Sequence, residues 1–91
     1  MSVLSDADET INVAREATYG SPGLFCSRVA TLWTGYLRAK GHDITLAPED
    51  VPLLMTQFKM ARLMADPSHR DSAVDMAGYV GILARVRGLD A

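Results

Sequence analysis

The sequence predicts an all-α protein, a compact bundle of about four helices that is expected to be oligomeric. Three observations predict it. Apolar residues recur at helical spacing over long stretches, above all in the second helix. The segments between those stretches hold Gly, Pro, Ser and Asp in the places where helices start and stop. The chain has 91 residues, 48% hydrophobic and 22% charged, which is a globular balance too small for two domains. Residues 1–91 are therefore read as a single helical domain. A domain of this length buries only about 60–65% of its unfolded surface. Association into an oligomer is the expected remedy.

The first helix is expected from about Asp6 to Thr18. Ser5 is the candidate N-cap, and Asp6, Asp8 and Glu9 suit the positive end of the helix dipole. Leu4, Ala7, Ile11, Ala14 and Thr18 make a thin apolar stripe, so the helix is read as peripheral. Tyr19-Gly20-Ser21-Pro22 breaks the chain, because the residue before a proline is kept out of the helical region.

The second helix is expected from about Pro22 to Lys40, with Ser21 as N-cap and Pro22 at the first helical position. Phe25, Cys26, Val29, Ala30, Leu32, Trp33, Tyr36 and Leu37 give the strongest apolar pattern in the chain, which marks this helix as the centre of the fold. Gly41 to Leu46 reads as a loop.

The third helix is expected from near Pro48 to Ala65. Val51, Leu54, Met55, Phe58 and Ala61 form its main stripe. Leu53, Met60 and Met64 widen the stripe beyond one face, as contact with a second surface would require. Pro52 falls near the first turn, where its missing N–H costs little. The fourth helix is expected to run to about Arg87 and to stop at Gly88. Ser68 as N-cap with Asp71 three residues on resembles a capping box.

Composition excludes several function classes. Net charge is -2, and the nine Lys and Arg are scattered, whereas nonspecific DNA or RNA binding needs a concentrated basic face. No apolar stretch approaches the ~20 residues of a membrane span. The N-terminus has neither the basic nor the apolar region of a signal peptide. Cys26 is the only cysteine, so no internal disulfide forms and a cytoplasmic address fits. There is no P-loop, Gly-x-Gly-x-x-Gly, zinc spacing, His-Glu-x-x-His or Gly-x-Ser-x-Gly.

One constellation stands out. On the fourth helix, Asp71, Asp75, Gly78, Tyr79, Ile82 and Val86 share a face whose C-terminal half is apolar, so two carboxylates continue a buried seam. A short connection makes the third and fourth helices antiparallel neighbours. Lys59 and Arg62 then lie beside Asp71 and Asp75, with His69 in the turn. Either Asp75 pairs with Lys59 or Arg62 in a structural salt bridge while Asp71 caps its helix, or the cluster is a site. In the second case Lys59, Arg62 and His69 bind phosphate. Asp71 and Asp75 orient that group, hold Mg²⁺, or contact a sugar or base. Arg15, Tyr19 and Gly20 flank the first break, and Arg15 and Tyr19 are candidates to contribute across a subunit boundary. Trp33 and Tyr36 read as core or interface aromatics, with base stacking as the alternative. Cys26 reads as a small buried hydrophobe, His42 as a solvated loop residue, and the five methionines as core filler and interface.

Taken together, Arg15…Tyr19-Gly20-Ser21-Pro22, Val29-Ala30-Thr31-Leu32-Trp33, Glu49-Asp50-Val51, Lys59-Met60-Ala61-Arg62 and the run from His69 to Tyr79 resemble a family of small phage-encoded domains of unknown function. The likeness covers about Arg15 to Tyr79. It implies a phage or prophage origin and a role in the infected cell, without an activity. A more distant likeness is to the MazG-like all-α nucleotide pyrophosphohydrolases, whose closing helix carries acidic residues ahead of a tyrosine, here Asp71, Asp75 and Tyr79. That likeness implies Mg²⁺ held by Asp71 and Asp75. Those enzymes carry a Glu-x-x-Glu box that this sequence lacks. Its nearest acidic pair, Glu49-Asp50, lies at the opposite end of the third helix.

These readings give three expectations. The first is a phage accessory protein that binds a phosphate-bearing nucleotide without turnover and needs no cofactor, such as one that sequesters a signal of antiviral defence. Its ligand would meet Lys59, Arg62, His69, Asp71, Asp75 and Tyr79, with Arg15 and Tyr19 added. The second is a reduced Mg²⁺-dependent pyrophosphohydrolase. The third is an interaction module that blocks a host protein through the apolar arc of the third helix.

Overall fold

The computed structural model describes residues 2–9 and 21–89. Among them are four helices and no strand: α1 (Val3–Glu9), α2 (Pro22–Ala39), α3 (Asp50–Ala65) and α4 (Arg70–Val86). The protein is an all-α bundle, as the periodicity predicts. The expected residues of the first helix beyond Glu9, and the break at Tyr19-Gly20, lie outside the described residues.

Each helix boundary has a local cause. α1 starts earlier than the sequence suggests, because Ser2 rather than Ser5 caps it. The Ser2 hydroxyl accepts the Ser5 N–H at 3.1 Å, and the Ser5 hydroxyl donates back to the Ser2 carbonyl. Ser21 caps α2 as expected, accepting the Leu24 N–H at 3.3 Å, with Pro22 first in the helix. At the other end Gly41 takes φ 95°. The His42 N–H reaches the Leu37 carbonyl and the Gly41 N–H reaches that of Arg38, which is a Schellman stop. α4 ends the same way at Gly88, with φ 69° and bonds from Leu89 to Ala84 and from Gly88 to Arg85. α3 is led in by a turn at Pro48-Glu49. The Asp50 carboxylate accepts the Ala47 N–H at 2.7 Å, the reciprocal half of a capping box.

The helix at the centre is α4, not α2. It packs most extensively on α3, then on α1, and also meets α2. From Ser72 to Val86 only Val80 is exposed. α2 has the strongest pattern, but it is amphipathic in the wrong sense for a central helix. Cys26 and Ala30 are buried, Val29, Trp33 and Leu37 are half-buried, and Leu24, Leu32 and Tyr36 face solvent. α4 can be surrounded because it is built from small residues: Ser72, Ala73, Ala77 and Gly78 let neighbours approach on several sides.

The core is thin. Cys26, Ala30, Val51 and Ile82 form its buried cluster, with Val29, Trp33, Leu46, Met55, Tyr79 and Val86 packed against it. Leu46 belongs to the 41–46 loop and enters the core because its N–H donates to the Thr34 hydroxyl at 2.9 Å. Arg38 holds the same loop through the Ile44 carbonyl and the Thr45 hydroxyl. Trp33 is a core aromatic, as expected. Tyr36 is not: it is exposed, with the Lys40 ammonium 5.7 Å from its ring centre.

Candidate functional site

The connection from α3 to α4 is a short capped turn, and it sets the register of the two helices. The Asp66 Oδ1 accepts the Ser68 N–H at 3.1 Å and the Ser68 hydroxyl at 2.7 Å. These two bonds, the hydroxyl first, hold the Asp66 carboxyl below its usual value. Ser68 is thereby committed to Asp66 and does not cap α4. The capping box expected between Ser68 and Asp71 is absent, and His69 is the N-cap. Its Nδ1 accepts the Ser72 N–H at 3.2 Å and lies 2.7 Å from the Ser72 hydroxyl. Ser72 is fully buried, so this cap is shielded from water on the Ser72 side.

The helices run antiparallel, as the short connection requires. Partners descend along α4 as they ascend along α3: the Glu49 carboxylate meets Arg87 at 2.9 Å, Lys59 meets Asp75 at 3.0 Å, and Arg62 meets His69 at 3.4 Å. The Lys59–Asp75 pair is the middle clamp. Its side chains are only 17% and 27% exposed, so the ion pair sits between the helices and not on their surface. The Lys59 ammonium also lies 5.7 Å from the centre of the Phe58 ring, within cation–π range.

Arg62 and His69 differ from that pair. The Arg62 Nη2 lies 3.4 Å from the His69 Nε2, and Arg62 itself is exposed. The guanidinium carries further N–H donors beyond that contact.

The structure thus divides the expected site. Lys59 is brought to Asp75, and Arg62 to His69. Asp71 is exposed. Tyr79 is half-buried and packs against the core. Arg15 and Tyr19 lie outside the described residues. Asp75 is engaged by Lys59, while Glu49 and Asp50 meet Arg87 and the Ala47 N–H at the far end of α3. Among the described residues no three His, Cys, Asp or Glu side chains gather in a way that could hold a metal ion. Cys26 is buried, and burial pushes its thiol pKa up, away from a reactive thiolate. His42 is exposed, as read from the loop, and borders a shallow depression of about 290 Å³ with Arg38, Gly41 and Asp43.

The second candidate is the outer face of α3. The half of the helix turned to its neighbours carries Val51, Pro52, Met55, Thr56, Lys59 and Leu63. Leu54, Phe58 and Ala61, expected on the inner stripe, are exposed instead. The inward arc mixes Thr56 and Lys59 with apolar residues, and Lys59 meets Asp75 there, while the arc with more apolar residues faces outward. Leu53, Leu54, Gln57, Phe58, Met60, Ala61, Met64 and Ala65 are all exposed, and none is charged. At 100° per residue they cover roughly 160° of the helix circumference. Phe58 is 55% exposed and Met64 79%. The widened stripe was visible in the sequence, but which part of it faced the core was not. The Asp66–Ser68 turn, the Glu49–Arg87 pair and an Arg70–Asp6 pair that ties α4 to α1 were missed. An Asp-x-Ser signal at the helix junction could have found the first of these.

No helix among the described residues is long and apolar enough to cross a membrane. A family model described as a domain of unknown function, DUF6378, matches residues 2–87. The chain is 40% identical over 87 residues to the Gene 55 protein of Mycobacterium phage L5, covering 96% of this chain and 53% of that protein. It is 39% identical over 85 residues to the Gene 55 protein of Mycobacterium phage D29, covering 93% of this chain and 53% of that one. The chain therefore spans about half the length of the curated relatives it matches. No solved structure matches it.

Proposed function

The chain belongs to the family of the domain of unknown function DUF6378, and on that premise we propose that it is a helical protein-interaction module of a phage protein. It works by contact through the outer face of α3 and not by turnover at the α3–α4 junction. One observation carries this reading: eight exposed positions on one face of α3, seven of them apolar and none charged. Contiguous apolar surface of this extent is uncommon on small soluble chains and marks contact sites where it occurs. Interference with a host factor is one action that such a face would serve.

The test compares two sets of variants in an assay of the chain's effect on phage growth or on the host. Leu53→Asp and Met60→Asp are expected to abolish the effect while keeping the helical circular dichroism. Asp71→Ala, exposed on the other candidate site, is expected to leave it unchanged. The reverse pattern would overturn the reading.

The exposed Arg62 guanidinium beside His69 favours a second reading, in which a phosphate-bearing nucleotide is held there. They stand at the N-terminus of a 17-residue helix, whose dipole favours anions. Lys59 contributes less than the sequence suggests, because Asp75 neutralises it and would repel a phosphate. Thermal unfolding against mono-, di-, tri- and cyclic nucleotides, with and without Mg²⁺, separates the cases. A ligand at 100 times its Kd adds roughly 2.7 kcal/mol, several degrees for a domain this small. A shift lost in Arg62→Ala would support nucleotide binding. Pyrophosphate release would support the Mg²⁺-dependent hydrolase, with Asp71 and Asp75 as ligands.

A further inference from the structure

We infer that the outer face of α3 is self-complementary and that its occupant is a second copy of this chain, packed antiparallel across a two-fold axis. The inference rests on the contact-face reading above and names its partner.

Charge placement argues for a second copy. Asp50, Leu54, Phe58 and Arg62 follow one another at intervals of four, which makes them a ridge along α3. The ridge has an acid at one end, a base at the other and two large apolar side chains between. An axis midway between Leu54 and Phe58 sets Leu54 of one copy against Phe58 of the other. The same operation brings each Asp50 to the Arg62 of the opposite copy. A parallel arrangement would instead juxtapose like charges at both ends. A closed two-fold interface uses one patch twice, so a neutral patch with opposite charges at its ends is the form that can face itself at no electrostatic cost. Asp50 and Arg62 retain capacity for this. One Asp50 oxygen accepts the Ala47 N–H, and the exposed Arg62 guanidinium has N–H donors beyond the one that meets the His69 ring.

Shape argues the same way. Leu54 and Phe58, which face the axis, are 41% and 55% exposed. Ala61 and Ala65, on the same side of the helix, leave room for a partner's side chains. The thin core supplies the need, since the buried hydrophobic residues among those described are Ala7, Cys26, Ala30, Val51, Val74 and Ile82, with no aromatic among them.

The experiment is the solution mass of the 91-residue chain by sedimentation equilibrium over a range of concentrations. The expected result is a reversible dimer of twice 9.9 kDa. Phe58→Asp is expected to weaken it roughly 30-fold or more, the scale of an interface hot spot. Phe58 is exposed, so the variant should keep its fold, which circular dichroism checks. Arg62→Asp is expected to weaken the dimer, and Arg62→Asp combined with Asp50→Lys to restore it in part. A monomer at every concentration, or a dimer indifferent to Phe58→Asp, overturns the second copy as occupant. If the chain is monomeric and Leu53→Asp still abolishes the biological effect, the contact-face reading stands with a different protein as partner. If Leu53→Asp is silent as well, both fall.

Discussion

His69 is the residue whose role differs most from what its type suggests. A histidine between a lysine, an arginine and two aspartates reads as a ligand-binding group. Its Nδ1 instead caps α4 through the Ser72 N–H. The sequence pointed to Ser68, the commoner capping residue, but Asp66 takes both the N–H and the hydroxyl of Ser68 and leaves the cap to its neighbour. Nothing in the local pattern ranks those two uses of Ser68 against each other. Loss of an N-cap costs typically about 1 kcal/mol. His69→Ala is therefore expected to lower stability by about that amount in urea unfolding, and His69→Asn, which keeps an acceptor, by much less. Asp66 gives a pH-dependent counterpart. Its folded carboxyl is held below the usual 3.8 by the Ser68 bonds. Its contribution is thus present above that value and is lost as pH falls through the lower folded one. A carbon-13 titration should place the Asp66 midpoint below 3.8, and Ser68→Ala should move it back up.

At the scale of the element, α3 shows why hydrophobicity alone does not orient a helix. Both its arcs contain apolar side chains, and the outer one contains more. The arc that packs on α4 includes Thr56 and Lys59, and Lys59 is drawn inward because α4 supplies Asp75 opposite it. The antiparallel α3–α4 pair could be read from the short turn, and the Lys59–Asp75 pair was one of the two readings the sequence left open. The rotation that exposes Phe58 could not be read, because apolar residues line both arcs and the periodicity does not rank them. An ion pair this far withdrawn from water is costly to break from one side. Lys59→Met alone leaves the Asp75 carboxylate facing an apolar group and is expected to cost about 1–3 kcal/mol, between the values for exposed and fully buried pairs. Lys59→Met with Asp75→Leu should recover most of that loss. Chemical unfolding of the two single variants and the double variant gives the coupling directly.

Taken as a whole molecule, the bundle is organised around α4, with three helices packed on a helix that carries Ser72, Ala73, Ala77 and Gly78. The all-α class, the α2 bounds, the glycine stop after α4 and the core position of Trp33 were legible because caps and periodicity are local. The identity of the central helix was not legible. The most regular pattern, in α2, belongs to a helix that leaves Leu24, Leu32 and Tyr36 exposed. The candidate site was legible as a cluster, but its meaning was not, since salt bridge and ligand site draw on the same residue types. What the assembled molecule adds is a contrast between two surfaces. At the α3–α4 junction most charges are matched within the chain. On the outside of α3 an apolar face stands uncovered.

Leu54 and Phe58 lie on the exposed ridge of α3, while Met76 is half-buried within α4. The most direct measurement is the set of Leu54 methyl and Phe58 ring resonances recorded as the concentration of the chain is raised. Contact through the outer face of α3 with a second copy predicts that these signals shift or broaden together, while the Met76 methyl holds its position. Leu54 and Phe58 signals that stay fixed at every concentration would contradict it.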